Sequence, residues 1–436
     1  MYLFEDKAGD LRMSNHSFIK EVTKEKPIDK KKMLIKAGML VIAALLFGAI
    51  AALAFVYVKP LLENNIEARK EPEQINITEE DENPTPAVPT TTPTPTPTPE
   101  VVKEKSEDVQ VVPVELGLAE YKKLNQEMRV ASEKAEKSLV TVIGIKSVVD
   151  YFNDTYDNKG QLSGLIIANN GRELLVLTEY RVVDGVDKIQ VTFPSGQIVD
   201  AQYQKHDENT GLTIIKILVE QIDEETLNNM EMAPLGNSYK VTQGEPVIAL
   251  GSPAGYSESI AFGAITSATN KVPSWDTEYS LINTDILGSE GGSGILLDLD
   301  GEIIGIIAQD YSNENSTVTA LAISPIRALI QTLSNNGEIR YLGIKGQEVT
   351  EDISKNTGIP EGIYIEHPKQ DSPAMQVGLM KGDVIVKMND VEIKTIAEYQ
   401  KQLEECTVGE SVKLTVMRNN AASYDEIVFD VMVQAL

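Results

Sequence analysis

The sequence predicts a mainly β chain hung on one apolar helix, and three observations carry that reading. Between residues 139 and 333, short apolar runs such as "ELLVLTEY", "LTIIKI", "PVIALG", "GAITSA" and "GEIIGIIA" recur, each bounded by Gly, Pro, Asn or Asp. Many short strands at close spacing argue for an antiparallel barrel pair or sandwich. The stretch from Ala37 to Val58 contains no charged side chain. Between these two regions lies "NPTPAVPTTTPTPTPTPE", a composition that cannot build a core.

Taken in chain order, residues 1–36 carry Lys24, Lys26, Lys30, Lys31, Lys32 and Lys36 just before the apolar run, whereas glutamates dominate after it. The positive-inside rule therefore makes 1–36 a cytoplasmic tail and puts everything after Lys59 outside. At 1.5 Å per residue the run 37–58 spans roughly 33 Å, enough for a single-pass transmembrane helix in the cell membrane. A cleaved signal peptide ending near Ala52-Leu53-Ala54 is the competing reading, and the length and late start of the run weigh against it. Alternating Thr and Pro favour extended polyproline II, so 59–115 reads as a semi-rigid linker.

The folded part begins near residue 116. "LAEYKKLNQEMRVASEKAEKSLV" has helical spacing, with Leu118, Tyr121, Leu124, Met128 and Ala131 on one stripe. "KIQVTF" alternates strictly and runs into Pro194-Ser195-Gly196, so a strand with Ile189, Val191 and Phe193 on one face is expected before a turn. This domain extends over 116–335. A second one, 341–436, carries strands "GIYIEH", "DVIVKMND" and "SVKLTVMR" and a helix over "TIAEYQKQLEEC".

Composition narrows the function classes. A net charge of −27 repels nucleic acid and leaves no basic footprint. Cys406 is the only cysteine, so no intramolecular disulfide or thiolate cluster forms, and His16, His206 and His367 are too scattered for a His-rich metal site. Neither a cofactor nor a metal is expected. "DLDGE", Asp298 to Glu302, hints at a calcium loop, but its glycine comes too early and a hairpin turn explains it.

"ASEKAEKSLVTVIGI", "APLGNSYKVTQGEPVIALGSPAGYSESIAFGAITSA" and "TDILGSEGGSGILLDLDGEIIGI" resemble, in this order, the opening helix and first strand, the LG-S and GNPxG segments and the TDAxxNPGNSGGPL segment of the HtrA/Deg proteases. "DSPAMQVGLMKGDVIVKMNDVEI" resembles a PDZ core, with "YLGI" at Tyr341 to Ile344 in the place of the carboxylate-binding loop. The resemblance implies a chymotrypsin/trypsin-like double β-barrel followed by a PDZ domain, and it covers roughly residues 120 to 433. It also implies a Ser-His-Asp triad. The nucleophile falls on Ser293, but "LTEYRVV" places Arg181 at the histidine and "DENTGLTIIKI" places Gly211 at the aspartate.

The consequence follows from proton chemistry. A serine hydroxyl needs a neighbouring base to take its proton, and a guanidinium has none of the capacity to accept one. His206, Lys240 and Lys271 are the other candidate bases. By the resemblance the oxyanion hole is Gly291, Gly292 and Ser293, where Glu290 stands for the family proline, Gly292 for its asparagine and Ile295 for its second glycine. A carboxylate there opposes a developing oxyanion; Arg181 and Glu290 either pair across the cleft and plug it or point into solvent independently. In the second domain Leu342, Gly343 and Ile344 form the implied carboxylate loop and Ile396 and Tyr399 line the groove, the alternative being a PDZ fold whose groove is blocked.

These readings converge on a pseudoprotease that binds peptide C-termini or unfolded envelope proteins as a scaffold or sensor. One rival is a working serine endopeptidase with a non-standard base. Another is an inactive regulatory subunit in an active homologue's assembly. Relatives of this type are often trimeric, which by resemblance makes a homotrimer or hetero-oligomer an expectation.

Overall fold

The computed structural model describes residues 39, 73–78, 117–149, 155–312, 316–420 and 423–436. Apart from Met39 and residues 73–78, the expected tail, transmembrane run and linker lie outside them. Among the described residues no helix is long and apolar enough to cross a membrane. The chain divides into two compact units, Met1–Glu71 and Pro72–Leu436, and the architecture below belongs to the second.

Helix α1 (Leu118–Glu136) forms where the apolar spacing predicts, but the predicted stripe is only half used. Leu118, Tyr121 and Leu124 are 70%, 64% and 51% exposed, while Ala135 and Ser132 at the far end are fully buried. Only its last turns meet a partner surface, through Met128, Ala131 and Ala135. Spacing therefore reported helicity correctly and burial incorrectly for the first two turns.

Six strands follow: β1 (Leu139–Val149), β2 (Thr155–Asn169), β3 (Glu173–Glu179), β4 (Lys188–Thr192), β5 (Ile198–His206) and β6 (Leu212–Leu218). They close a barrel in the order β1-β2-β3-β6-β5-β4. The alternation of "KIQVTF" places Ile189, Val191 and Phe193 inside, and Gly196 N–H closes the following turn on Phe193 O at 2.8 Å. After the short helix α2 (Glu224–Asn229), a second closed barrel is built from β7 (Pro246–Ser252), β8 (Ser259–Pro273), β9 (Glu278–Leu287), β10 (Ser293–Leu297), β11 (Ile303–Ala308) and β12 (Thr317–Ala322). Closure leaves no open sheet edge in either barrel. The "DLDGE" stretch is the β10–β11 turn, where Asp298 Oδ1 accepts the N–H groups of Asp300 and Glu302.

Beside an apolar cluster inside each barrel, the two share a core at their seam: Leu165, Leu177, Leu212 and Ile214 of the first pack with Ile248, Leu250, Ile295 and Leu321 of the second. Helix α3 (Ile323–Ser334) caps it with Ile326, Ile330 and Leu333. A piece of the expected linker also belongs here. Ile75 and Ile77 pack on the shared core, and their N–H groups donate to Asn335 Oδ1 and Gln331 Oε1 at 2.8 and 2.6 Å. Residues 73–78 are thus part of the domain surface, because two isoleucines interrupt the polar composition.

The C-terminal domain comprises β13 (Arg340–Tyr341), β14 (Ile344–Val349), α4 (Glu351–Thr357), β15 (Gly362–Pro368), α5 (Pro373–Gln376), β16 (Val384–Met388), β17 (Val391–Glu392), α6 (Ile396–Glu404), β18 (Ser411–Asn419), β19 (Tyr424–Met432) and β20 (Gln434–Ala435). Its main sheet runs β14-β15-β16-β18-β19, with β17 beside β16 and a separate β13-β20 pair. Ile365, Ile385, Met388, Leu414, Val416 and Leu403 of α6 fill its own core. Thr395 caps α6 in a capping box with Glu398. The fully buried Asp383 is held by Arg418 in a two-pronged contact, both N–O distances 2.7 Å, a geometry that suits guanidinium and carboxylate planes.

Candidate functional site

The three positions that the triad resemblance singles out converge at the seam between the barrels. Arg181 sits on a single 3-10 turn, Tyr180–Val182, directly after β3. Gly211 precedes β6, and its carbonyl accepts the Tyr180 N–H at 2.7 Å, so pairing of β3 with β6 sets the two side by side. Ser293 opens β10 in the other barrel. Arg181 Nη2 reaches across to Gly292 O at 3.3 Å.

Arg181 makes its ion pair with Glu179 rather than with Glu290. Its Nε and Nη2 donate to the two Glu179 carboxylate oxygens at 2.7 and 3.2 Å. The expected Arg181–Glu290 plug is therefore corrected: Glu179, two residues away at the end of β3, captures the guanidinium with far less chain to order. Burial by itself lowers the pKa of Arg181, but the hydrogen bond and charge of Glu179, with the fields of Asp310 and Glu290, more than offset it and hold the guanidinium above its ordinary value. Burial likewise pushes Glu179 up, against the pull of Arg181. Glu179 was legible, since it lies within the same "LTEYRVV" stretch and supplies the charge opposite to that of Arg181.

Ser293 is 1% exposed. Its Oγ accepts the Ser163 backbone N–H at 2.9 Å and is hydrogen-bonded to Ser252 Oγ at 2.8 Å. Ser163 belongs to β2 of the first barrel and Ser252 is the β7 residue paired with Ser293. A cavity of ≈ 400 Å³ lies next to this cluster, lined by Thr141, Ser163, Leu250, Gly251, Ser259 and Ile260 among others but not by Ser293. The hydroxyl thus points into the seam. Nothing in the local motif signals Ser163 or Ser252, because they reach Ser293 only through barrel pairing.

The surrounding loop is closed as well. Gly292 N–H donates to Ser289 O at 2.8 Å, and a Cβ at 292 would stand 2.3 Å from Pro253 O. The asparagine of the family pattern has no room here. At Gly211 the space is open but φ is +70°, so an aspartate there would adopt a left-handed backbone. His206 is committed elsewhere, stacked on Tyr180 at 3.7 Å between ring centroids and bonded through Nδ1 to Tyr203 at 2.7 Å. Lys271 is paired with Glu278, and Lys240 is exposed.

The second candidate site is the loop before β14. Leu342, Gly343 and Ile344 turn their N–H groups to one point, and the carboxylate of Asp276 occupies it, at 2.9, 2.7 and 3.0 Å. Tyr399 on α6 donates its hydroxyl to the same carboxylate at 2.7 Å. Leu342, Ile344, Ile396 and Tyr399 are all buried. Burial pushes the Asp276 carboxyl up, and the four donors hold that rise in check.

A trypsin-like peptidase domain model matches residues 162–306 and a PDZ domain model matches 340–427. The chain is 31% identical over 279 residues to HhoA of Synechocystis sp., which is named as a serine protease, covering 60% of this chain and 68% of that protein. It is 30% identical over 265 residues to a DegP-like protein of Pseudomonas putida named as a periplasmic serine endoprotease, covering 59% of this chain and 53% of that one. The protein belongs to the HtrA/Deg family. It spans about half the length of its DegP-like relatives. Among solved structures, the HtrA-type protease AlgW with a decapeptide superposes with a TM-score of 0.54 at 22% identity, over 71% of this chain and 98% of that one, a likeness of fold.

Proposed function

We propose that this protein is a membrane-anchored, extracytoplasmic HtrA-like pseudoprotease that recognises peptide C-termini or unfolded envelope proteins through its PDZ domain, as a scaffold or sensor. The observation that carries the reading is the condition of Ser293: its hydroxyl is buried between Ser163 N–H and Ser252 Oγ, while the cationic Arg181 stands where a base is required. Without a proton acceptor the alcohol is not activated, and the oxyanion-hole contribution alone leaves only about 10³–10⁴-fold over water. Peptide recognition needs main-chain donors rather than a triad, and Leu342, Gly343 and Ile344 supply them. The periplasmic names of the relatives and the apolar run 37–58 after a lysine-rich tail support the placement outside the membrane.

The test is labelling of the purified chain with a fluorophosphonate probe, alongside casein digestion. Neither labelling nor cleavage is expected, and Ser293→Ala is expected to match the wild type. Labelling that disappears in Ser293→Ala would overturn the reading in favour of a working endopeptidase.

A further inference from the structure

The β8–β9 hairpin ends in the turn Ser274–Trp275–Asp276–Thr277, closed by Ser274 N–H on Thr277 O at 2.9 Å. Asp276 sits there at φ 61°, a conformation that Asp and Asn tolerate better than other side-chain-bearing residues. Two contacts beyond the carboxylate cage matter. The Asp276 backbone N–H donates to Ile344 O at 2.7 Å, and Thr277 Oγ1 donates to Gln400 Oε1 on α6 at 2.9 Å. A carboxylate on the loop amides plus one ladder bond to the adjoining strand is how strand addition holds the last residue of a bound peptide. Asp276 reproduces both from within the chain. Around it the Trp275 ring meets His367 edge-on at 5.4 Å, and Lys369 lies 5.9 Å from the Trp275 ring centre and 3.5 Å from Glu208.

We infer that Asp276 is a built-in pseudo-ligand of the PDZ domain, so that a partner's free C-terminus enters only after the hairpin tip leaves and, by entering, releases the domain from the second barrel. This rests on the peptide-binding reading above and adds its regulation. Toward the carboxylate the loop and Tyr399 present donors only, and a carboxylate is acceptor-only, which makes an aspartate or a chain terminus the matching occupant. Both cannot occupy the loop together. The apparent affinity of the partner is then the intrinsic one reduced by the open fraction. Its last side chain is apolar, since Leu342, Ile344 and Ile396 surround the loop.

Asp276→Asn tests this, because asparagine keeps the turn but aims an amide NH₂ at the loop donors; Asp276→Ala is the second variant. The full chain in detergent is titrated with fluorescein-labelled peptides ending in valine, leucine, phenylalanine or alanine, each as free acid and as amide. Trp275, the only tryptophan, reports docking through its emission. Both variants are expected to bind a free acid about tenfold or more tighter than wild type, as for an open fraction raised about tenfold, with amides inert and the Trp275 emission red-shifted. Equal free-acid affinity in wild type and variants overturns the pseudo-ligand while leaving peptide binding intact. Unshifted emission also overturns it. Red-shifted emission with no free acid bound by any form overturns the peptide-binding reading itself, and the inference with it.

Discussion

Arg181 and Ser293 come from opposite barrels; the guanidinium is held by Glu179 and by Gly292 O, while the hydroxyl is engaged with Ser163 N–H and Ser252 Oγ. That arrangement bears on whether a triad can be rebuilt by substitution. Drawing Ser293 Oγ toward a new base would leave the part-buried Ser163 N–H without its acceptor, a cost of up to about 1–3 kcal/mol. The double substitution Arg181→His with Gly211→Asp is therefore expected to leave casein uncleaved, and cleavage above the wild-type background would show that the hydroxyl turns out freely. Tyrosines near the interdomain contact offer a second test. Burial, with the charges of Asp207 and Asp310, pushes Tyr311 up to about 12, and burial with Asp276 and Glu208 does the same to Tyr341. Between pH 10 and 12 the folded protein keeps protons that the unfolded chain releases, so stability falls as pH rises through that window. Urea midpoints should decline there, and a flat profile would show both phenols ionising freely.

At the scale of elements, alternation and turn residues specified strands well because a strand's two faces differ only in what they touch. Ile189, Val191 and Phe193 went inside as their spacing requires. Helix α1 shows the limit: its stripe is apolar along the whole length, yet the first turns have no neighbour within the described residues of the chain. The loop before β10 is the other case, since Gly292 reads as a missing asparagine but serves close approach to Pro253. Gly292→Ala is expected to destabilise the protein by about 1–3 kcal/mol, the usual effect of overpacking. Thermal denaturation of that variant checks it, and an unchanged midpoint would mean the loop opens at no cost.

For the whole molecule, the distribution of apolar cores sets how it unfolds. The barrels pack on a shared core, with a further apolar cluster inside each, whereas the PDZ domain has a separate core. Calorimetry is expected to show two transitions. Leu297→Ala should lower the barrel transition and Leu414→Ala the PDZ transition, each by about 2–5 kcal/mol, because both side chains are fully buried. A single transition lowered by either variant would show that the Asp276 contact couples the domains completely.

The sequence by itself determined the strand-rich double-domain architecture and placed at position 181 an arginine, which cannot accept a proton. These depend on periodicity and residue chemistry, which are local. Only the tertiary structure decided that Glu179 takes the guanidinium, that Ser163 and Ser252 enclose the hydroxyl and that Asp276 fills the PDZ loop from a hairpin 66 to 68 residues upstream. Such contacts join segments far apart in the chain, and their partners are chosen by barrel closure and domain docking, which no local pattern encodes.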